Sequence, residues 1–425
     1  MNSSAFRSGL KKTLFSLVAI LLGLLLALAI AEGALRLTRT APYHRNALNS
    51  FHEPDPDLGW RGLPGFTGVF VREDFKARIA INEQGYREKG ARIRPLPDAE
   101  KVVFLGDSFA WGWGVSQGEL FSDVLQDLLG PRYDVVNRGI NTFGTVQEWI
   151  QMEKEVVPMG PARVGLLFYG NDLEDNLNGR GESRPYCEVE AGRVVLRNLP
   201  VSNPIGGGLR SVMRHSYALT HLRYYHNVFR EYVDLAEARL KQWLRERRES
   251  GGVGRHPGKR ERAEEAPAMG EQVTVFEHAL SRIALLCREN GIDLFVVYVP
   301  TGENIASGSP EYENIRIVRS VCRRHGIPLV DLMPDFIAGI TGTDGEPYYF
   351  PLDLHWTPEG HRLAAEIIFR RIFGARETAV QRTKKFNAPL RPPGRPASAS
   401  RPAPSGCTPG RRGRERRSFC TRRGP

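Results

Sequence analysis

The chain is 425 residues long, 41% hydrophobic and 25% charged, a balance that builds a sizeable core in one large domain with insertions, or in two domains, and excludes a wholly disordered chain. Its formal charge of +11 sits at one end: residues 376–425 hold 14 Lys/Arg against Glu377 and Glu415, a net of +12 that leaves −1 for the other 375 residues. With no basic face interleaved with aromatics in the body, nucleic-acid binding is excluded, and five cysteines (Cys187, Cys287, Cys322, Cys407, Cys420) with no Cys-x-x-Cys spacing and no paired histidine argue against a zinc site.

Residues 13–31 carry no charge and follow Arg7, Lys11 and Lys12. About 20 apolar residues cross a bilayer as a helix, whereas the apolar region of a signal peptide runs to about 7–15. The segment therefore reads as an uncleaved transmembrane anchor at 13–31, with 1–12 in the cytoplasm and the body exported. Ala29-Ile30-Ala31 offers the signal-peptidase alternative, and Arg36, Arg39 and Arg45 beyond the span leave only a slight charge asymmetry.

Residues 42–100 are punctuated by turn signals (Pro54-Asp55, Pro64-Gly65, Gln84-Gly85) around two short strand patterns at 68–71 and 77–81. They form a β-rich prelude expected to lean on the main domain. From Lys101 the pattern alternates strand and helix, the mark of a parallel sheet covered on both faces. Strands are predicted at 101–105, 135–136, 163–169, 292–299 and 327–331, and helices at 117–130, 145–156, 272–290, 311–325 and 358–373. Gly291 and Gly326 stand where left-handed C-cap residues belong, and Cys287 and Cys322 read as buried small hydrophobes in two of these helices.

The alternation breaks between 173 and 271. This insertion holds a hairpin pattern at 188–196, a Gly206-Gly207-Gly208 loop, and a helical pattern from 215 to 248 whose apolar residues (Leu222, Tyr225, Phe229, Val233, Ala236, Leu240, Trp243, Leu244) are expected to be a packing face. His215, His221 and His226 lack the four-residue spacing of a helical metal site. Residues 250–270 read as a mobile loop, and 386–425, rich in Pro, Arg, Ala, Ser and Gly, as disordered tail within a basic segment at 376–425.

Chemistry gathers at four strand exits and helix starts. The apolar run 102–105 stops at Gly106-Asp107-Ser108, which reads both as a turn capped by Asp107 or Ser108 and as a serine delivered to the carboxyl end of a sheet, where ligands collect. Downstream stand Asn137-Arg138-Gly139, Gly170-Asn171-Asp172, and Asp353-Leu354-His355-Trp356 ahead of a helix with Pro358 near its start. Ser108 as nucleophile, His355 as base and Asp353 as its orienting acid are what acyl transfer requires. The N–H groups of Ser108 and Gly139 and the Asn171 amide are the candidate oxyanion donors. Trp111 and Trp113 serve equally as a substrate wall or as core anchors. Asp172, Glu174 and Asp175 read as a helix N-terminal acidic cluster, and His361, inside the last helix, is a poor rival base.

These blocks resemble those of the SGNH (GDSL) hydrolases. The resemblance covers about 101–175 and 272–374 and implies a flavodoxin-like three-layer α/β/α sandwich with a central parallel sheet, here with an N-terminal transmembrane helix and a helical insertion (173–271) in a hydrolase domain spanning 101–375. It implies esterase chemistry on acyl or acetyl esters through Ser108, His355 and the donors of Ser108, Gly139 and Asn171, with no metal or organic cofactor. The usual pattern has Asp three residues before His, but position 352 is Leu, and the Asp-x-His-Trp form resembles the variant in exported polysaccharide O-acetylation proteins. The expected substrate is an acylated carbohydrate, lipid or small ester of the cell envelope, met outside the membrane. The same site serves an O-acyltransferase if a sugar hydroxyl is the acceptor. A silent glycan-binding scaffold has no use for a nucleophile, base and orienting acid together, and a nucleotide-binding domain would carry a Gly-rich phosphate loop after the first strand.

Overall fold

Continuous apolar runs without alternation are what strands covered on both faces look like, and the three such runs, with two shorter and half-buried strands at the edges, form one parallel sheet. The structure is a computed structural model and describes residues 3–46, 50–87, 99–178, 183–204, 213, 215–249, 269–306, 313–340 and 348–374. The glycine loop at 206–208, residues 250–268 of the expected mobile loop, and the basic tail at 376–425 lie outside the described residues.

The prelude holds β1 (Tyr43–His44), β2 (His52–Asp55), β3 (Gly59–Gly62), β4 (Thr67–Val71) and β5 (Lys76–Ala80). The expected strand pair is the antiparallel β4–β5, with β1 added in parallel to β4 and a separate β2–β3 hairpin. The main sheet follows with β6 (Glu100–Leu105), β7 (Tyr133–Asn137) and β8 (Arg163–Phe168). An antiparallel hairpin of β9 (Tyr186–Glu190) and β10 (Arg193–Arg197) interrupts before β11 (Asp293–Tyr298) and β12 (Leu329–Asp331) complete the sheet.

Its order is β12-β11-β8-β6-β7, parallel throughout. Counting these five strands alone, that is 2-1-3-4-5, the flavodoxin-like order, whose switch point falls between β6 and β8. Val102 to Leu105 are fully buried and every residue of β8 is buried, each large apolar side chain contributing about 1.5–3 kcal/mol over an exposed one. The helix Phe121–Leu129 packs with Pro358–Ile368, and Thr145–Gln151 packs with Met269–Glu289, so the expected α/β/α arrangement holds.

The helix boundaries differ where side chains hold the chain open. The Asp123 carboxylate accepts the Gly118 N–H (2.7 Å) and the Gln117 amide (3.2 Å), so 117–120 is a loop and the predicted 117–130 helix begins at Phe121. A one-turn helix, Ser108–Trp111, precedes it, too short for any periodicity to announce.

A second core joins prelude to sheet. Phe51, Phe66, Phe70, Phe75 and Ile79 enclose Trp111, whose indole stacks on Phe51 at 5.7 Å and 7°. Trp111 is therefore a core anchor.

The insertion's helical pattern is a single helix, Tyr217–Glu249, but its expected packing face is not one. Leu222, Tyr225, Phe229, Val233, Leu240, Trp243 and Leu244 are 39–66% exposed. Periodicity specifies a helix with an apolar stripe; it does not specify a partner inside the same chain. This helix is held in its first half, where the Tyr43 ring packs against His221 and Tyr224 and polar bonds tie it to the N-terminal segments. Glu32 of the N-terminal helix Ser3–Leu37 accepts the Ser216 hydroxyl (2.8 Å) and the Ala218 N–H (2.9 Å), Arg36 donates to the His215 carbonyl (2.8 Å), and Arg45 pairs with Glu231 (2.6 Å). The N-terminal helix contains the one stretch among the described residues long and apolar enough to cross a membrane, Lys11–Leu37, 27 residues whose most apolar 18-residue window has a mean hydropathy of 2.9 and no burial. At about 1.5 Å per residue it exceeds the ~30 Å of a bilayer's hydrocarbon core.

Phe51→Ala, which removes the ring stacked on Trp111, is expected to cost about 3–5 kcal/mol and to lower the urea midpoint of a single unfolding transition. Two separate transitions would show instead that the prelude folds independently.

Candidate active site

The turn that carries Ser108 follows from the exit of β6. Gly106 takes φ +150°, and a Cβ there would lie 2.7 Å from Ala110 Cβ and 3.0 Å from Leu167 Cβ, so only glycine fits. The Asp107 carboxylate then accepts the Phe109 N–H at 2.9 Å and caps the helix Ser108–Trp111. Gly112, at φ +86°, ends it and returns its N–H to the Ser108 carbonyl. Capping turn and presented serine are thus one geometry: the residue that caps is Asp107, and the residue it leaves at the first helical position is Ser108.

His355 and Asp353 arrive from a loop ahead of the helix Pro358–Ile368, whose N-cap Thr357 accepts the Gly360 N–H. Ser108 Oγ lies 2.8 Å from His355 Nε2, and His355 Nδ1 lies 2.6 Å from Asp353 Oδ1. An ionised carboxylate only accepts, so Nδ1 carries the proton and Nε2 is free to take one from the serine. Leu354, between acid and histidine, sits at φ +67°, a kink that folds the two side chains onto each other despite their short spacing.

Three further groups hold this arrangement. The Trp113 indole N–H donates to Asp353 Oδ2 (3.0 Å), and its ring stacks on His355 at 5.3 Å and 27°. Phe109 lies 4.9 Å from the imidazole. Asp74, in the prelude, accepts the Leu352 and Asp353 N–H groups at 2.9 and 3.0 Å. Burial works to raise the Asp353 carboxyl, but the hydrogen bond and charge of His355, the Trp113 N–H and the Arg72 charge outweigh it and hold the group below its ordinary range.

Gly139 abuts the serine's turn. A Cβ there would meet Ala110 Cβ and Trp111 N at 2.6 Å, and the loop is zipped to the β6 exit by Arg138 N–H to Phe104 O (2.8 Å) and Ile140 N–H to Gly106 O (3.0 Å). The Gly139 N–H donates to Asn137 Oδ1 (2.9 Å), and the Asn171 amide donates to Asp175 Oδ2 (3.2 Å). The Ser108 N–H belongs to a helix's first turn, where no intrahelical partner exists. The structure therefore draws Ser108, His355 and Asp353 into one hydrogen-bonded line and places Gly139 against the turn that follows Ser108, while the Asn171 amide is turned toward Asp175.

Beneath the site lie buried acids. Burial raises Asp107 to about 6. Burial, then the Asp107 charge, raises Glu148 well above its ordinary value, and burial with the charges of Glu148, Asp107 and Asp175 does the same to Asp172. Asp172, Glu174 and Asp175 form the first turn of a four-residue helix, with Asp175 paired to the buried Arg184 at 3.2 Å. His361 is fully packed: its Nδ1 accepts the Phe121 N–H at 3.2 Å, and burial, with the charges of Arg87 and His355, depresses it to about 3. Among the described residues no group of three or more His, Cys, Asp or Glu is arranged to hold a metal ion.

Sequence reading did not separate Trp113 from Trp111, and it missed Asp74. The alternating Trp-Gly-Trp-Gly pattern at 111–114 marked a turn but not which ring faces the histidine, and Asp74 lies almost 280 residues from its partners with no local signal.

The sequence profile of the GDSL-like Lipase/Acylhydrolase family matches residues 104–363. Among solved structures the chain is similar to an acetyl xylan esterase, AlAXEase (15% identity, TM-score 0.36, covering 64% of this chain and 100% of that one). It is also similar to TesA (14%, 0.35, 64% and 98%) and to a lipase/acylhydrolase from Enterococcus faecalis (15%, 0.32, 65% and 96%). No curated protein matches the chain.

The acid cluster makes stability depend on pH with a definite sign. Between the ordinary carboxylate range and about 6, the native chain holds protons on Asp107 and its neighbours that the unfolded chain has released, so stability falls as pH rises through that window. Glu148→Gln is expected to raise the urea midpoint at neutral pH and to flatten its fall between mildly acidic and neutral pH. An unchanged profile would mean that the cluster is already ionised in the native state.

Proposed function

The chain belongs to the GDSL-like lipase/acylhydrolase family of ester-cleaving serine hydrolases, and on that premise we propose that Ser108 is its nucleophile, His355 its general base and Asp353 the group that orients the base. The observation that carries the reading is the unbroken chain from Asp353 Oδ1 through the imidazole to Ser108 Oγ, with contacts of 2.6 and 2.8 Å. Ser108 Oγ attacks the acyl carbon as its proton passes to His355 Nε2. The imidazolium, stabilised by Asp353, then gives that proton to the leaving alcohol. Water repeats the sequence on the acyl-serine, releasing the acid and restoring the hydroxyl.

The N–H groups of Ser108 and Gly139 and the Asn171 amide are the proposed oxyanion donors. Gly139 and Asn171 also donate to Asn137 and Asp175, so each shares its hydrogen-bonding capacity between an internal oxygen and the tetrahedral oxygen as it forms. Losing one such donor typically lowers kcat about 10²–10³-fold.

The proposed substrates are acyl or acetyl esters of an envelope glycan, a lipid or a small ester. The apolar helix Lys11–Leu37 supports a membrane-anchored enzyme, and the proposed placement of its hydrolase domain is on the outer side. With a sugar hydroxyl in place of water as acceptor, the same acyl-serine would perform O-acyl transfer.

The test is turnover of 4-nitrophenyl acetate by the full chain. Wild type is expected to show a burst of nitrophenol followed by steady turnover. Ser108→Ala should abolish both, and Asp353→Asn should lower kcat on the order of 10⁴-fold, because the amide favours the wrong histidine tautomer. A folded wild type that releases no nitrophenol would count against hydrolysis.

A further inference from the structure

Trp113 has two neighbourhoods. Its N–H and one face serve Asp353 and His355, and the residue also lines a cavity of about 500 Å³ whose other walls include Arg45, Arg72, Thr142, Arg230 and Glu231. The cavity draws on three separate parts of the chain: Arg45 and Arg72 from the prelude, Thr142 from the loop that begins at Gly139, and Arg230 and Glu231 from the helix Tyr217–Glu249. It therefore borders both flanks of the proposed centre, the ring over the histidine and the loop of the proposed oxyanion donor.

Its charge is lopsided, with three guanidinium groups and one carboxylate. Arg45 is already engaged, bridging Glu73 (2.5 Å) and Glu231 (2.6 Å). Arg72 is held over the rings of Trp113 and Phe70, each at 5.7 Å, and its Nε is buried without a hydrogen-bond partner. Arg230 is exposed to solvent. A guanidinium fork matches an oxyanion in a bidentate way.

We infer that this cavity is the subsite for an anionic group, carboxylate or phosphate, borne by the glycan whose ester is cleaved, with Arg72 and Arg230 as its ligands and Trp113 as the wall shared with the catalytic histidine. The inference rests on the esterase reading above and narrows its substrate from acylated glycans to charged ones. The group touches no reacting atom; it positions the ester over Ser108.

The test compares release of acetate by the full-length protein from O-acetylated polygalacturonate, an O-acetylated phosphodiester-bearing glycan and O-acetylated xylan, which is neutral. Wild type is expected to favour a charged polymer in kcat/KM, by a margin that shrinks as salt is raised, and the better of the two charged polymers identifies the anion. Arg230→Gln should lower the charged-to-neutral ratio about tenfold, mainly through KM, with Arg230→Lys retaining part of it. Equal rates on charged and neutral polymers, alongside Ser108-dependent turnover of 4-nitrophenyl acetate, would overturn the subsite and leave the esterase standing. If no ester is turned over, the esterase reading fails, and the subsite is then judged on binding alone. Polygalacturonate or the phosphodiester glycan should bind the Ser108→Ala protein, and Arg230→Gln should weaken that binding about tenfold; no weakening overturns it.

Discussion

The constraint on which the molecule depends is the position of β6. It lies inside a wholly parallel sheet, with β7 on one side and β8 on the other, so three strands leave at one edge and their following loops must share a small space. Residues without side chains make that possible. Gly106 and Gly139 allow the β6 and β7 exits to touch the turn that carries Ser108, and backbone bonds from Arg138 and Ile140 lock them together. A methyl group at either glycine would drive the loops apart. The chemistry at this edge follows from backbone packing before any side chain is considered.

Around that edge the chain gathers support from distant segments. The prelude supplies Phe51 beneath Trp111 and Asp74 beneath the Asp353 loop, so a region with no part in the sheet fixes both ends of the serine–histidine contact. Burying Asp107 directly behind Ser108 carries an energetic cost, which the raised affinities for protons at Asp107 and Glu148 express.

Much of this was legible in the sequence, for identifiable reasons. Strands buried on both faces write themselves as unbroken apolar runs, and strand exits write themselves as Gly, Asn and Asp, so the sheet and the segments around Ser108, Gly139, Asn171 and His355 stood out. What did not stand out was decided by tertiary contact. Two tryptophans two residues apart have opposite fates, one stacked in a core and one over a histidine, because a four-residue helix ends between them. The stripe on Tyr217–Glu249 is apolar at helical spacing yet open to solvent, while the contacts of Glu32, Arg36, Tyr43 and Arg45 are all made along the first half of that helix. The Asn171 amide, read as an oxyanion donor, also answers to Asp175, a relation that sequence spacing does not weigh.

The Glu32 cap bears on maturation. Its carboxylate closes the N-terminus of a 33-residue helix, where a negative charge is favoured by the helix dipole. Removal of a leader after Ala31 would make Glu32 the first residue of the chain and place a new ammonium group on the residue that now supplies only negative charge to that helix end. It would also free the cap from the helical turn that aims it. The same helix carries Arg230 and Glu231, so the end of the apolar N-terminal helix and the wall beside Trp113 are joined by a single element.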